Sequence, residues 1–135
     1  MNDDLILLGH GSGGILSHKL LDELIVARLS GQHQAQLNDV ALLDAGAGRL
    51  AFTTDGYVVD PSIFPGGTIG SLAIHGTVND LAMMGARPCW LSCSLIIEEG
   101  FSRSQLEVIL KDMRSAADTA GVQIVTGDTK VVPRG

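Results

Sequence analysis

The stretch TIGSLAIHGTVNDLAMMGARP, Thr68 to Pro88, decides how the chain is organised. Its apolar residues run almost all the way round a helical wheel, which predicts one long and largely buried helix. Thr68 reads as its N-cap after Pro65-Gly66-Gly67, and Gly85 followed by Pro88 reads as its stop. Three polar residues interrupt it: His75, Asn79 and Asp80. His75 and Asn79 are four apart and share a face, as do Gly76 and Asp80, and a bare Gly76 leaves room beside the carboxylate for a ligand or a second backbone. A buried polar group without a partner costs on the order of several kcal/mol, so this trio either meets neighbouring backbone or marks a site.

Downstream, Trp90 to Ile97 predicts a strand, closed by a solvated Glu98-Glu99-Gly100. Ser102 and Gln105 have capping-box spacing, and Leu106, Ile109, Leu110, Met113, Ala117 and Ala120 follow at helical period until Gly121. This is an amphipathic helix covering a sheet, with Glu107, Lys111, Asp112 and Arg114 on a solvated face. Val122 to Val125 predicts another strand. It runs into Thr126-Gly127-Asp128-Thr129-Lys130, which reads as a loop suited to phosphate and metal or as a plain surface turn.

Upstream, Asn38 to Asp44 and Arg49 to Val59 read as two strands of a hairpin joined by Ala45-Gly46-Ala47-Gly48. Asp55-Gly56 sits in the second strand, where both residues are poor strand formers and mark a bulge or a functional position. Leu5 to Leu8 is a short strand or arm that leads into Gly9-His10-Gly11-Ser12-Gly13-Gly14, ahead of an amphipathic segment from Ser17 to Leu29. Such glycines let backbone N–H groups approach an anion. The letters also fit the dinucleotide fingerprint G-x-G-x-x-G, with Asp44 as a ribose acid, but a hairpin where a parallel crossover belongs counts against that. No Lys-Ser or Lys-Thr follows, which excludes a Walker A loop.

The chain has 135 residues, 45% of them hydrophobic, which suits one compact domain: residues 1–36 as Gly-rich arm plus helix and 37–135 as core. A net charge of −6 argues against a nucleic-acid or anionic-membrane surface. No apolar run reaches the ~18 residues of a membrane span, and the start is acidic where a signal peptide is basic, so the expected compartment is the cytoplasm. Cys89 and Cys93 would lie ~13 Å apart along one face of an extended chain, too far for a disulfide, and read as buried structural thiols.

Asp39, Asp55, Asp80 and Asp128 each sit at or beside an interruption of a strand or helix. Carboxylates converging on a phosphate repel it unless magnesium, which favours oxygen ligands, is shared between them. In that reading the Gly-rich loop supplies N–H donors, the aspartates the metal, and Lys130 or His75 meets charge developing in phosphoryl transfer.

GHGSGG (9–14), NDVALL (38–43), the run from Phe52 to Pro88, LIIEEG (95–100) and TGDTKVVPRG (126–135) together resemble the amino-terminal half of the HypE family of hydrogenase maturation proteins, in the aminoimidazole ribonucleotide synthetase superfamily. The resemblance covers essentially the whole chain. It implies an α+β domain with a β-β-α-β-α-β sheet, helices on one face, and a homodimer whose sheets form a barrel. It implies ATP and Mg2+ as cofactors, and an ATP-dependent dehydration of a carbamoyl group on the family's carboxy-terminal cysteine, leaving a thiocyanate that supplies cyanide to the hydrogenase iron. By position it makes Asp39, Asp55, Asp80 and Asp128 the metal and nucleotide acids. Gly11, Ser12, Gly13 and Gly14 become the phosphate cover, Thr126 and Gly127 part of the nucleotide loop, and Asn79 and Lys130 neighbours of the reacting phosphate. The implied partners are the carbamoyltransferase HypF and a HypC–HypD scaffold. The family continues into a second domain and a cysteine-bearing tail that these residues do not match, so neither Cys89 nor Cys93 inherits the tail's role. A dimerisation and docking module without catalysis is the competing expectation.

Overall fold

The computed structural model describes residues 4–29 and 46–135. The predicted strand from Asn38 to Asp44, together with Asp39, lies outside the described residues. A short 3-10 helix, Leu8–Gly11, precedes α1 (Ile15–Leu20), a π-helical stretch (Leu21–Val26) and α2 (Ala27–Leu29), which follow one another without a break. A small hairpin, β1 (Ile63–Phe64) and β2 (Gly67–Thr68), leads into α3 (Ile69–Met83). β3 (Trp90–Glu98), α4 (Arg103–Ala120) and β4 (Gln123–Val132) then form a parallel β-α-β unit.

α4 is the centre of the core. It buries Leu106, Ile109, Leu110, Met113, Ala116 and Ala117 along one stripe, each large side chain worth about 1.5–3 kcal/mol of apolar burial. Leu20, Leu24, Ile25 and Leu29 from the amino-terminal helix, Ile74 from α3 and Ile97 from β3 join the cluster, together with Ile6 and Val122. Gly70 lets α3 approach α4 closely, since a Cβ there would collide with the Ile109 carbonyl oxygen. Ser102 caps α4 by accepting from the Gln105 N–H at 3.4 Å, and Gly121 ends it with φ 69°.

Leu5 to Leu8 is an arm. The Ile6 N–H donates to the Phe101 carbonyl at 2.9 Å, the Gly100 N–H donates back to Ile6 at 2.7 Å, and the Ile6 side chain is fully buried. The charges of α4 are more than a solvated face. Arg28 donates to Glu107 Oε1 at 2.7 Å, Arg114 donates to the Leu29 carbonyl at 3.1 Å, and Asp112 accepts from Thr68 Oγ1 at 2.7 Å. They tie α2 and the start of α3 to α4. Glu98 and Glu99 likewise accept backbone N–H groups, from Gly135 and Leu8.

The described residues depart from expectation in α3, in Arg49 to Val59 and at the cysteines. α3 forms where predicted and is capped by Thr68, whose Oγ1 accepts from Gly70 N at 3.0 Å while Ser71 Oγ accepts from Thr68 N at 3.0 Å. Yet only Gly70 and Ile74 of α3 are buried, with Met83 83% and Met84, just beyond it, 81% exposed, because among the described residues the close packing on it comes mainly from α4. Arg49 to Val59 has no ladder partner among the described residues, its expected partner Asn38 to Asp44 lying outside them, and Phe52 and Val58 are open to solvent. Among the described residues the strands form two separate two-stranded sheets, β1 with β2 and β3 with β4. Cys93 is half-buried, its Sγ 3.7 Å from Met113 Sδ, and burial pushes its thiol up to about 11. Cys89 is exposed and precedes β3, so the two thiols do not share the buried face of one strand.

Candidate functional site

The expected Thr126 to Lys130 loop is part of strand β4. Its pairing with β3 runs Leu91 to Ile124 and then Ser92 to Thr126, which leaves Val125 as a one-residue bulge. A bulge reverses which side chains face which side of a strand. Before it Ile124 faces inward. After it Thr129 and Val131 do, and Thr126, Asp128 and Lys130 lie exposed. Without the bulge the last three would point into the apolar layer under α4. Gly127 is required by the close pairing itself, since a Cβ there would collide with the Cys93 carbonyl oxygen. On the exposed side Lys130 Nζ donates to Asp128 Oδ1 at 2.6 Å and the Thr129 N–H donates to the same oxygen at 2.9 Å. The lysine, and then the amide, hold the Asp128 carboxyl below its ordinary value.

The Gly-rich turn packs against this strand. A Cβ on Gly11 would stand 2.7 Å from the Val131 nitrogen and 3.0 Å from its Cβ, so the turn reaches β4 one residue beyond Lys130. Ser12 Oγ donates to the Gly9 carbonyl at 2.9 Å, and buried Ser17 accepts from the Gly13 N–H at 2.9 Å. Gly13 has φ 81°, a left-handed conformation suited to glycine. Ser12, Gly13 and Gly14 are exposed, with the Gly13 amide already occupied by Ser17. The fingerprint lacks its setting: the preceding residues make a single antiparallel bridge, Leu5 to Ser102, where a dinucleotide fold needs a parallel strand.

A second group forms on α3. His75, Asn79 and Asp80 are exposed, correcting the expectation of polar groups inside a buried helix. Above Gly76 lies the ring of Tyr57, the sole tyrosine of the chain: a Cβ on Gly76 would collide with the Tyr57 hydroxyl and stand 2.6 Å from two ring carbons. The space beside Asp80 is thus filled by a side chain from the extended segment. Partial burial pushes the Tyr57 phenol up; contact with Thr77 opposes this, while contact with Asp55 and the charges of Asp55 and Asp80 add to it. Asp55 and Asp80 therefore both neighbour one phenol. The Asp55 carboxylate also accepts from the Gly56 N–H at 2.8 Å, which fixes its direction.

The site residues fall into two groups, the Gly-rich turn with Asp128 and Lys130, and Asp55 with Asp80 around Tyr57. Among the described residues no three His, Cys, Asp or Glu side chains gather as a metal site. The expected convergence of aspartates is not assembled within them. Two carboxylates with hard oxygen donors still suit magnesium, which commonly takes one or two protein carboxylates and completes its shell with waters and phosphate oxygens. Tyr57, Thr77, Ser17 and the bulge at Val125 escaped sequence reasoning. The lone tyrosine next to Asp55-Gly56 was the one available signal.

Among known proteins, residues 37–135 match the family described as AIR synthase related protein, N-terminal domain. Carbamoyl dehydratase HypE of Bradyrhizobium diazoefficiens is 54% identical over 128 residues, 95% of this chain and 37% of that protein. A crystal structure of the hydrogenase maturation protein HypE in complex with ATP superposes with a TM-score of 0.90 at 55% identity, covering 96% of this chain and 38% of that one. A HypE–HypF complex structure matches at 57% identity and a TM-score of 0.56 over 57% of this chain and 25% of that one. The chain spans well under half the length of these relatives. No described helix is long and apolar enough to cross a membrane.

Proposed function

From the premise that the chain belongs to the AIR synthase related family through its N-terminal domain, we propose that it is the nucleotide-binding part of an ATP-dependent carbamoyl dehydratase serving hydrogenase maturation. The observation that carries this reading is the superposition of 96% of the chain on a HypE structure in complex with ATP. In the whole enzyme ATP would phosphorylate the amide oxygen of a carbamoyl group carried on a cysteine sulfur as a thiocarbamate, releasing ADP and one amide proton, and departure of that oxygen with the phosphate and loss of the second amide proton would leave a thiocyanate.

This chain's share is positioning and charge. Asp55 and Asp80 would hold magnesium, with Asp39 and Asp128 as further acids. When bound, that ion offsets phosphate charge and links the carboxylates to the nucleotide. Lys130, oriented by Asp128 on the exposed side of β4, presents a cation for a phosphate oxygen beside the Gly-rich turn. Asn79 and His75, exposed on α3 near Asp80, would direct hydrogen-bond donors to the same phosphate. Exposed Phe52, Val58 and Ile96 support self-association that covers them, consistent with a homodimer. The complex formed by a relative makes HypF the first partner to test.

The test is a calorimetric titration of ATP into the chain with and without magnesium, with NAD as the comparison ligand. Magnesium-dependent ATP binding that Asp80→Asn abolishes is expected. NAD binding without magnesium would return the Gly9 to Gly14 fingerprint to first place.

A further inference from the structure

The segment from Arg49 to Val59 carries Asp55 and has no ladder partner among the described residues. Three of its apolar residues face solvent: Leu50 is 74%, Phe52 95% and Val58 97% exposed. An acid on such a segment has a defined place only if something else fixes the backbone. The Tyr57 ring, two residues on, is in contact with the one position of α3 between Ile74 and Thr77 that lacks a side chain. Asp80 is one helical turn along from Gly76, on the same face. Partial burial, contact with Asp55 on its own segment and the charges of Asp55 and Asp80 push the phenol up, while contact with Thr77 on the helix opposes this.

We propose that Tyr57 is a positioning residue: seated on Gly76, it pins the Asp55 segment to α3 and sets the Asp55 carboxylate beside that of Asp80. This rests on the reading of the two acids as the magnesium end of the nucleotide site. Gly76 is then a seat for an aromatic ring, and any side chain at position 76 evicts it. Tyr57 touches neither nucleotide nor metal in this account. Its contribution is to turn two acids on separate segments into one preformed pair, as the outer partners of metal ligands do.

Two variants separate this from a general loss of structure. Gly76→Ala blocks the seat from the helix side, and Tyr57→Ala removes the ring while leaving α3 untouched. In the free chain, NMR of the unsubstituted protein should show the Gly76 α-protons shifted by the Tyr57 ring current and the Asp55 amide moved by Asp80→Asn. Both signatures should vanish in either variant while the signals of α4 stay in place. Titrations with ATP and magnesium should show either variant weakening the magnesium-dependent part of binding by about tenfold or more, with magnesium-free binding unchanged. Tyr57→Phe, which keeps the ring, should restore most of it. A Gly76 signal indifferent to Tyr57→Ala, or an Asp55 amide indifferent to Asp80→Asn in the unsubstituted chain, overturns the proposal. If the unsubstituted chain binds no ATP, the nucleotide reading fails by itself, and the free-chain signatures still decide whether Tyr57 sets the acids together.

Discussion

α4 and α3 are neighbours of similar length with opposite fates. α4 has one apolar stripe and buries six of its residues; α3 is apolar nearly all round and buries two. The amphipathic helix carries the instruction for its own placement, because one face must go in and the other must stay out. The uniformly apolar helix carries no such instruction. Its α4 side is packed and its other side supports the polar group around Gly76 and Asp80.

That contrast breaks most readily by deleting side chains. Leu110→Ala, at a fully buried position in α4, should cost about 2–5 kcal/mol in urea unfolding. Phe52→Ala, on the unpaired segment, should stay within about 0.5 kcal/mol for the monomer. Equal effects would mean that the exposed segment belongs to the core after all. Gly70→Ala sharpens the comparison at the contact between the two helices. A Gly to Ala change in a helix interior ordinarily gains about 1 kcal/mol, and less in the first turn, where Gly70 sits. Here the new Cβ meets the Ile109 carbonyl, and overpacking should turn the gain into a net loss of about 1–3 kcal/mol, read as a lowered urea midpoint. Thr68→Ala removes the cap of α3 and its bond to Asp112, with about 1 kcal/mol lost in the same assay.

The smallest expected effect is electrostatic. Hydrogen bonds from Lys111 and then Arg28 hold the Glu107 carboxyl down to about 2, against an ordinary value of 4.5. A depressed acid stabilises the fold above its unfolded value and loses that contribution as pH falls from about 4.5 through about 2. Carboxylate NMR should place the Glu107 midpoint near the lower end, and Arg28→Ala should move it upward.

These outcomes bear on what the sequence made legible. The caps at Thr68 and Ser102, the stops at Gly85 and Gly121 and the face of α4 were readable because they are local: each rests on residues within a turn or two of one another. The burial of α3 was not, because apolarity says that a surface prefers cover without saying what supplies it. Arg49 to Val59 has strand composition, but a strand exists only with a ladder partner, and the expected one, Asn38 to Asp44, lies outside the described residues. At the candidate site Asp80, Asp55, Asp128 and Lys130 were picked out by residue type and by resemblance. Their directions were not readable, because a single bulged residue decides which way Asp128 and Lys130 point, and a contact between positions 57 and 76 decides how Asp55 meets Asp80.

The central claim is that both halves of one nucleotide site, the Gly-rich turn with Asp128 and Lys130 and the acids around Tyr57, belong to this chain. The most direct measurement is the amide NMR spectrum of the labelled chain as ATP and magnesium are added. The account predicts saturable shifts at Gly13, Gly14 and Lys130 and also at Asp55 and Asp80, the second set requiring magnesium. Saturable shifts confined to one group, or none at either, would contradict it.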